Sequence, residues 1–312
     1  MADGGVGRGR PGGGCRGGAG ARRRGDPDGT SHSRESAVVF AWHRSGRGAV
    51  RGEVRLVGRG CDRVDRELRV LPLLRELARS ISVPEIVFSS RDPLLFVSRY
   101  VPGVPAGSPY ADDTTRSTIP VQLAEVLATL HDPMLKDLLK SHGVVMGETQ
   151  PQAATTTLRA RFVGPIIVGP RAKRVLTWCD WIDDIESRTA PETTVVHGDL
   201  HPHNMVISED GERLLLVADF ENVAVGDPHY DFRYLVSIRR DLAWFNACRE
   251  AYQRLSGRQL SVERILAWHI LTALGDALWR TELGVPLPGD LTPEDYVDDI
   301  TRRLGELGVT IT

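Results

Sequence analysis

Residues 195–204 read Val-Val-His-Gly-Asp-Leu-His-Pro-His-Asn: three histidines, an aspartate and an asparagine directly after a β-branched pair. Two chemistries draw on that set, metal-dependent ester hydrolysis and phosphoryl transfer from a nucleotide, and spacing separates them. Gly198-Asp-Leu-His201 fits the opening of a dinuclear hydrolase site, but such a site needs further ligands from later Gly-Asp and Gly-Asn-His segments. Downstream, Gly226-Asp227 is followed by Pro-His-Tyr, and the sequence has no Gly-Asn-His. Phosphoryl transfer needs a carboxylate to orient and deprotonate the acceptor hydroxyl, plus oxygen ligands that hold Mg2+ against the phosphates. Asn204 stands five residues after Asp199, and Asp219 fifteen residues after that, within Val217-Ala-Asp-Phe220. A His-x-Asp-x-x-x-x-Asn loop before a strand-borne Asp-Phe supplies the three oxygens in the required order. His197 is then a support for the backbone around Asp199 and the Asp-Phe segment, while His201 and His203 read as loop residues.

Outward from this block, the pattern divides the chain in two. Ser36–Trp42 and Gly52–Val57 are β-rich runs around a Ser-Gly-Arg-Gly turn at 45–48, which predicts a hairpin. Cys61–Ser80 places Val64, Leu68, Leu71, Leu74 and Leu77 at helical spacing, with Pro72 expected to kink that helix or start a second one. Two short strands, Pro84–Phe88 and Leu94–Val97, complete a small β-β-α-β-β lobe ending near 103. The chain then turns helical at 119–131, 158–163 and 171–187, with 132–155 polar and irregular. Residues 194–218 read strand, loop, strand, turn, strand. Three helices are expected over 230–310, with Trp244, Trp268 and Trp279 as packing anchors.

The composition fits this division. Hydrophobic residues at 41% and charged residues at 26% are enough for a sizeable globular core. No apolar run is long enough for a transmembrane helix, and a net charge of −2 gives no basic field for nucleic acid. Four scattered cysteines without a CxxC pair argue against a disulfide framework or a zinc ribbon, so a cytoplasmic location is the expectation. Residues 1–35 are Gly/Arg-rich, lack the apolar core of a secretory signal, and are expected to be a disordered tail.

VVHGDLHPHN (195–204), VADFENVAVGDPHYDF (217–232), LAEVLATLH (123–131) and LLFVSRYVPG (94–103) together resemble the aminoglycoside phosphotransferase and choline kinase-like small-molecule kinases. The resemblance covers residues 36 to about 300. It implies an α+β, bilobal protein kinase-like fold, with a small β-rich N-lobe at 36–103 and a larger, mostly helical C-lobe at 104–312. It also implies ATP and Mg2+ as cofactors and transfer of the γ-phosphate to a hydroxyl of a small molecule. By match to the family's motifs, Asp199 is the catalytic base and Asn204 and Asp219 are the magnesium ligands. Glu67 is the helix carboxylate of the N-lobe, and Arg99 and Tyr100 sit at the nucleotide hinge. Asp231 is the buried carboxylate that braces the catalytic loop with His197, and Asp227 is a structural Asx turn before Pro228.

The sequence departs from the family in the N-lobe. No lysine precedes Lys136, so the strand position that pairs with Glu67 falls to an arginine. Arg55, twelve residues before Glu67, is the better candidate and Arg51 the alternative. Arg is a bidentate phosphate binder and not an equivalent of Lys. Gly29-Thr-Ser-His-Ser33 is the candidate phosphate-covering loop. A nucleotide-binding pseudokinase is a competing class, against which the complete Asp199, Asn204, Asp219 set argues. For the acceptor, segments 176–187 and 276–299 hold Asp180, Asp183, Asp184, Glu186, Asp276, Glu282, Asp295, Asp298 and Asp299. Such a wall would attract a cationic, aminoglycoside-like substrate; the alternative is a set of solvated helix faces. Trp178, Trp181 and Trp279 could stack on that substrate or pack in the core.

Overall fold

A computed structural model describes residues 36–44, 49–57, 61–78, 81–92, 94–106, 118–188, 192–239 and 242–311. For 36–44, 49–57, 61–63 and 94 it describes the backbone alone. The tail, the 45–48 turn, the Gly29–Ser33 loop and the side chains of Arg51 and Arg55 therefore lie outside the described residues.

The N-lobe is an antiparallel sheet of β1 (Ser36–Arg44), β2 (Ala49–Val57), β3 (Ile86–Arg91) and β4 (Leu94–Arg99) in the order β1-β2-β4-β3. Arg55 lies in β2, opposite Val38 on one side and Phe96 on the other. One helix, α1 (Cys61–Leu77), packs beneath the sheet. It buries Val64, Glu67, Val70, Leu71 and Leu74. The alternative that Pro72 starts a second helix is corrected: α1 runs through it as one element. Pro72 lies on the exposed face, where the carbonyl it leaves without a helical donor can turn to water.

The C-lobe comprises α2 (Thr118–Leu130), α3 (Pro133–Ser141), α4 (Thr155–Thr157) running into a π-helical turn at Leu158–Phe162, and α5 (Gly169–Arg188). α6 (Ala243–Ser256), α7 (Val262–Leu283) and α8 (Pro293–Glu306) follow the central strands. α3 falls in the stretch read as irregular. Its Asp132 N-cap accepts from the Met134 amide at 2.8 Å, with Pro133 at the first helical position. α2 turns Leu123, Leu127 and Leu130 onto α6, whose Phe245, Cys248 and Tyr252 are also buried. α7 is apolar on nearly every face, through Ile265, Leu266, Ile270, Leu271, Leu274 and Leu278, and forms the centre of the helical core. Trp178 and Trp244 are buried core residues.

Between the lobes lie the short strands that carry the candidate site residues. β5 (Val104–Pro105), β7 (Met205–Ile207) and β8 (Leu214–Val217) form one antiparallel ribbon, while β6 (Thr194–Val196) pairs with β9 (Ala224–Gly226). At the crossing between lobes, a Cβ on Gly103 would come 2.4 Å from the Ile207 carbonyl, so only glycine lets the two backbones meet there. Among the described residues, no helix is long and apolar enough to cross a membrane.

Leu127 has no exposed surface. Leu127→Ala is expected to destabilise the protein by about 2–5 kcal/mol, measured by denaturant unfolding. A loss under about 1 kcal/mol would show that the α2–α6 contact is not a packed core.

Candidate active site

β6 is buried along its whole length and delivers His197 into the interior. There the chain turns sharply. Gly198 takes φ +83, and a Cβ at this position would lie 2.1 Å from the Asn222 carbonyl, so the turn is closed to any other residue. The turn points two consecutive amides at one carboxylate. His197 N donates to Asp231 Oδ2 at 2.8 Å and Gly198 N to Oδ1 at 2.9 Å. His131 Nε2 meets Oδ2 at 3.1 Å, and its Nδ1 lies 3.0 Å from the Tyr252 hydroxyl. Burial by itself pushes the Asp231 carboxyl up, but the His131 hydrogen bond and charge, His197 and the Gly198 amide outweigh it, and the group sits below its ordinary value.

His197 works in both directions. Nδ1 accepts the Asp199 amide at 3.2 Å and Nε2 donates to the Ala218 carbonyl at 2.9 Å, which assigns the Nε2–H tautomer. Its ring lies 4.5 Å from that of Phe220. One imidazole thus ties the residue before Asp219 to the residue carrying the proposed base. Asn204 Nδ2 donates to the Asp199 carbonyl at 2.8 Å, which orients the amide and leaves Oδ1 as its acceptor. The Asn204 carbonyl accepts from the Ala218 amide at 2.8 Å, placing Asn204 and Asp219 side by side at the mouth of the β7–β8 ribbon. Asp219 adopts φ 69, ψ 61, a left-handed conformation that costs a non-glycine residue about 1–2 kcal/mol. The next amide, Phe220 N, donates to Glu67 Oε1 at 3.2 Å, so buried α1 braces the same turn from the N-lobe. Arg66 adds a bond from Nη1 to the Glu221 carbonyl at 3.3 Å.

Two residues that sequence reasoning did not single out surround Asp199. Tyr234 Oη donates to Asp199 Oδ1 at 3.0 Å, and Arg233 Nη2 lies 3.9 Å from the same oxygen. Arg233 is buried and stacked on Tyr230 at 3.6 Å and Tyr234 at 4.2 Å; it donates to the Gly198 carbonyl at 2.7 Å and the Tyr230 carbonyl at 2.8 Å. Burial pushes the Tyr234 hydroxyl well up, and the nearby Asp199 carboxylate adds to that, so it stays a donor. The only available signal was position: the two residues stand two and three positions after Asp231. His201 is pushed down, first by burial, although Asp199 and Asp219 both act to raise it. Its ring therefore lies within the field of both carboxylates.

The remaining expected residues divide. Asp227 Oδ1 accepts the His229 amide at 2.9 Å, the geometry of an Asx turn. Its Oδ1 also takes His229 Nδ1 at 2.5 Å, and its Oδ2 takes Arg264 Nε and, at 3.0 Å, Trp268 Nε1. Glu67 joins the site through Phe220. Arg99 is exposed, and its guanidinium is engaged by Glu85 at 2.7 Å and 3.3 Å. Tyr100 is 42% exposed, at the exit of β4. The acidic wall is largely neutralised: Arg159 holds Asp180 and Asp183, Arg188 holds Asp184, and Arg280 holds Asp276. Arg161 holds Glu282, Arg171 holds Asp298, and Arg302 and Arg303 hold Asp299. A cavity of about 830 Å3 lies between α7, α8 and the segment after Tyr234. It is lined by Ser237, three residues after Tyr234, and by His269, whose Nδ1 donates to the Arg233 carbonyl at 2.8 Å.

Over residues 37–269 the chain matches the Phosphotransferase enzyme family. It belongs to that family. Solved structures with the same protein kinase-like fold include the GDP complex of aminoglycoside 2'-phosphotransferase-IIIa, at TM-score 0.60, 17% identity and coverage of 86% of this chain and 92% of that one. The macrolide 2'-phosphotransferase MphH from Brachybacterium faecium superposes at TM-score 0.55 with 22% identity over 84% of this chain and 88% of that one. A choline/ethanolamine kinase family protein from Mesorhizobium loti does so at 0.59 with 18% identity over 86% and 88%. No curated protein sequence matches. The family chain is thus a small-molecule phosphotransferase in a bilobal kinase-like fold, as the motifs implied.

Asp231→Asn keeps one oxygen acceptor where two are used, and is expected to cost about 1–3 kcal/mol at neutral pH. Because the folded carboxyl lies below its ordinary value, its stabilisation is complete above the unfolded pKa of about 3.9 and is lost as pH falls through the folded value. The stability gap between wild type and variant should therefore shrink in acid. A gap that stays constant as pH falls would show that Asp231 is not held as the anion.

Proposed function

We infer that the chain is an ATP- and Mg2+-dependent O-phosphotransferase acting on a hydroxyl of a small, antibiotic-sized molecule. The observation that supports this best is the convergence of Asp199, Asn204 and Asp219 on one turn-and-ribbon unit, held from both sides by Asp231 and Glu67. The oxygen donors suit Mg2+, a hard cation that keeps to carboxylate, amide and phosphate oxygens. Asn204 Oδ1 and the Asp219 carboxylate would hold it, and it would neutralise phosphate charge and orient the transferring group. The relatives named for aminoglycosides and macrolides support an antibiotic-sized acceptor.

The chain's own part in the reaction follows from the geometry. Asp199 receives the acceptor hydroxyl on the oxygen opposite Tyr234. Tyr234 and Arg233 fix the rotamer of that carboxylate. The proton passes from the acceptor oxygen to Asp199 as that oxygen attacks the γ-phosphorus, and the nucleoside diphosphate leaves in line. Glu67 holds the turn of Asp219 and so couples the N-lobe helix to the nucleotide end of the site.

Asp199→Ala should lower acceptor-dependent ADP release by about 10²–10⁴-fold, with Mg·ATP affinity nearly unchanged. Retention of more than about a hundredth of the rate would remove Asp199 as the base. Asp219→Ala should instead weaken Mg·ATP binding itself, read by calorimetry; unchanged affinity would rule out its role as a metal ligand.

A further inference from the structure

Tyr234 and Arg233 occupy Oδ1 of Asp199, and the other oxygen has a neighbour of its own. His201 Nε2 lies 4.0 Å from Asp199 Oδ2. That is too long for a hydrogen bond, and it matches two groups that share one oxygen held at a bent angle between them. The imidazole is fixed from its far side. His201 is the N-cap of the short turn at 202–204, where its Nδ1 accepts the His203 amide at 3.1 Å. Nδ1 therefore carries the lone pair and Nε2 the proton. The backbone is set as firmly, with the His201 amide donating to the Asp199 carbonyl at 2.9 Å and its carbonyl accepting from the Asn204 amide at 2.9 Å. The ring stands edge-on to those of Tyr234 and His203, each 5.7 Å away. Burial favours its uncharged form, and the side chain remains 31% exposed. Among the described residues, Nε2–H makes no hydrogen bond.

A hydroxyl oxygen in this gap gives its hydrogen to Asp199 Oδ2 and takes one from His201 Nε2. One lone pair then remains, and it is the pair free to attack phosphorus. A bond to Asp199 alone leaves the oxygen to swing about that contact; a second bond removes the freedom. Building on the phosphotransferase reading, we propose that His201 is a further catalytic residue whose Nε2–H holds the acceptor oxygen beside Asp199. As the reaction proceeds, the acceptor O–H bond breaks and its proton goes to Asp199 Oδ2. The new O–P bond forms, and the bond from the γ-phosphorus to the nucleoside diphosphate breaks. His201 donates a hydrogen bond throughout and transfers no proton. Capping of the 202–204 turn is the other use of this ring, and the two uses fall on different nitrogens.

That division supplies the test. In His201→Asn the side-chain oxygen can still accept the His203 amide, as in an Asx turn, but no donor reaches the place of Nε2. In His201→Gln the longer amide returns an N–H to that place. The assay is ADP release by the full chain from Mg·ATP with no added acceptor, so that water fills the gap, together with Mg·ATP calorimetry and thermal melts. His201→Asn should lower the hydrolysis rate about 10- to 100-fold, with Mg·ATP affinity and melting temperature unchanged. His201→Gln should recover most of that loss. The proposal is overturned by an absence of hydrolysis in wild type, or by a His201→Asn rate within about threefold of wild type. A His201→Gln rate as low as that of His201→Asn, or a matching fall in Mg·ATP affinity or melting temperature, overturns it too. The phosphotransferase reading is judged separately. It falls if wild type binds no Mg·ATP or if Asp199→Ala hydrolyses as fast as wild type, whereas failure of the His201 assignment alone leaves Asp199→Ala inactive and His201→Asn active.

Discussion

A single buried carboxylate sets the geometry of the catalytic loop. Asp231 accepts two consecutive backbone amides and one imidazole N–H. A carboxylate removed from water is costly unless each oxygen is engaged, and here each oxygen is. The arrangement holds only if the amides of His197 and Gly198 point the same way, which requires the left-handed backbone at Gly198. Arg233 then takes the Gly198 carbonyl. Both polar backbone groups of that glycine are satisfied by the segment 231–233, so the loop needs no regular secondary structure of its own to stay fixed.

From this anchor a second tie runs to the turn of Asp219. His197 spans from the Asp199 amide to the Ala218 carbonyl, and Glu67 takes the Phe220 amide two residues further on. The strained Asp219 lies between those two bonds. Left-handed conformations of non-glycine residues persist where the surroundings over-determine them, and here a C-lobe imidazole and an N-lobe carboxylate do so. A shift of α1 would move the support of Phe220 directly, and with it the direction of the Asp219 carboxylate. The nucleotide lobe and the catalytic loop are thus coupled through two side chains.

The parts of this arrangement that are local in sequence were legible from it. That Asp199, Asn204 and Asp219 come close together was readable because their spacing around two short strands is a one-dimensional property. The strands of the N-lobe and α2, α5, α6, α7 and α8 were readable because apolar periodicity marks them. α3 was missed although Asp132-Pro133 signals its start, because the polar run around it hid the helix. β9 was missed because three residues carry no period. Arg233 and Tyr234 could not be assigned, since nothing in spacing shows that residues thirty-odd positions after Asp199 return to its carboxylate. The acidic wall stayed open between a cation-attracting surface and solvated helix faces; its arginine partners are partly local, as with Arg280 and Asp276, and partly distant, Arg171 and Asp298 lying 127 positions apart.

That last case links the two unusual features of the composition. The chain has only three lysines, which leaves its N-lobe strands without one. In the C-lobe, the arginines used instead form forked pairs that a lysine could not, such as Arg161 with both oxygens of Glu282 and Arg171 with both oxygens of Asp298. Exposed pairs of this kind add little to stability one by one. Their larger effect is on the field, because a carboxylate fixed against a guanidinium presents a dipole where a lone one presents a charge, and a dipole's attraction fades faster with distance. Helices that read as acidic in sequence therefore carry most of their carboxylates as matched pairs, with a weaker field than the number of acidic residues implies.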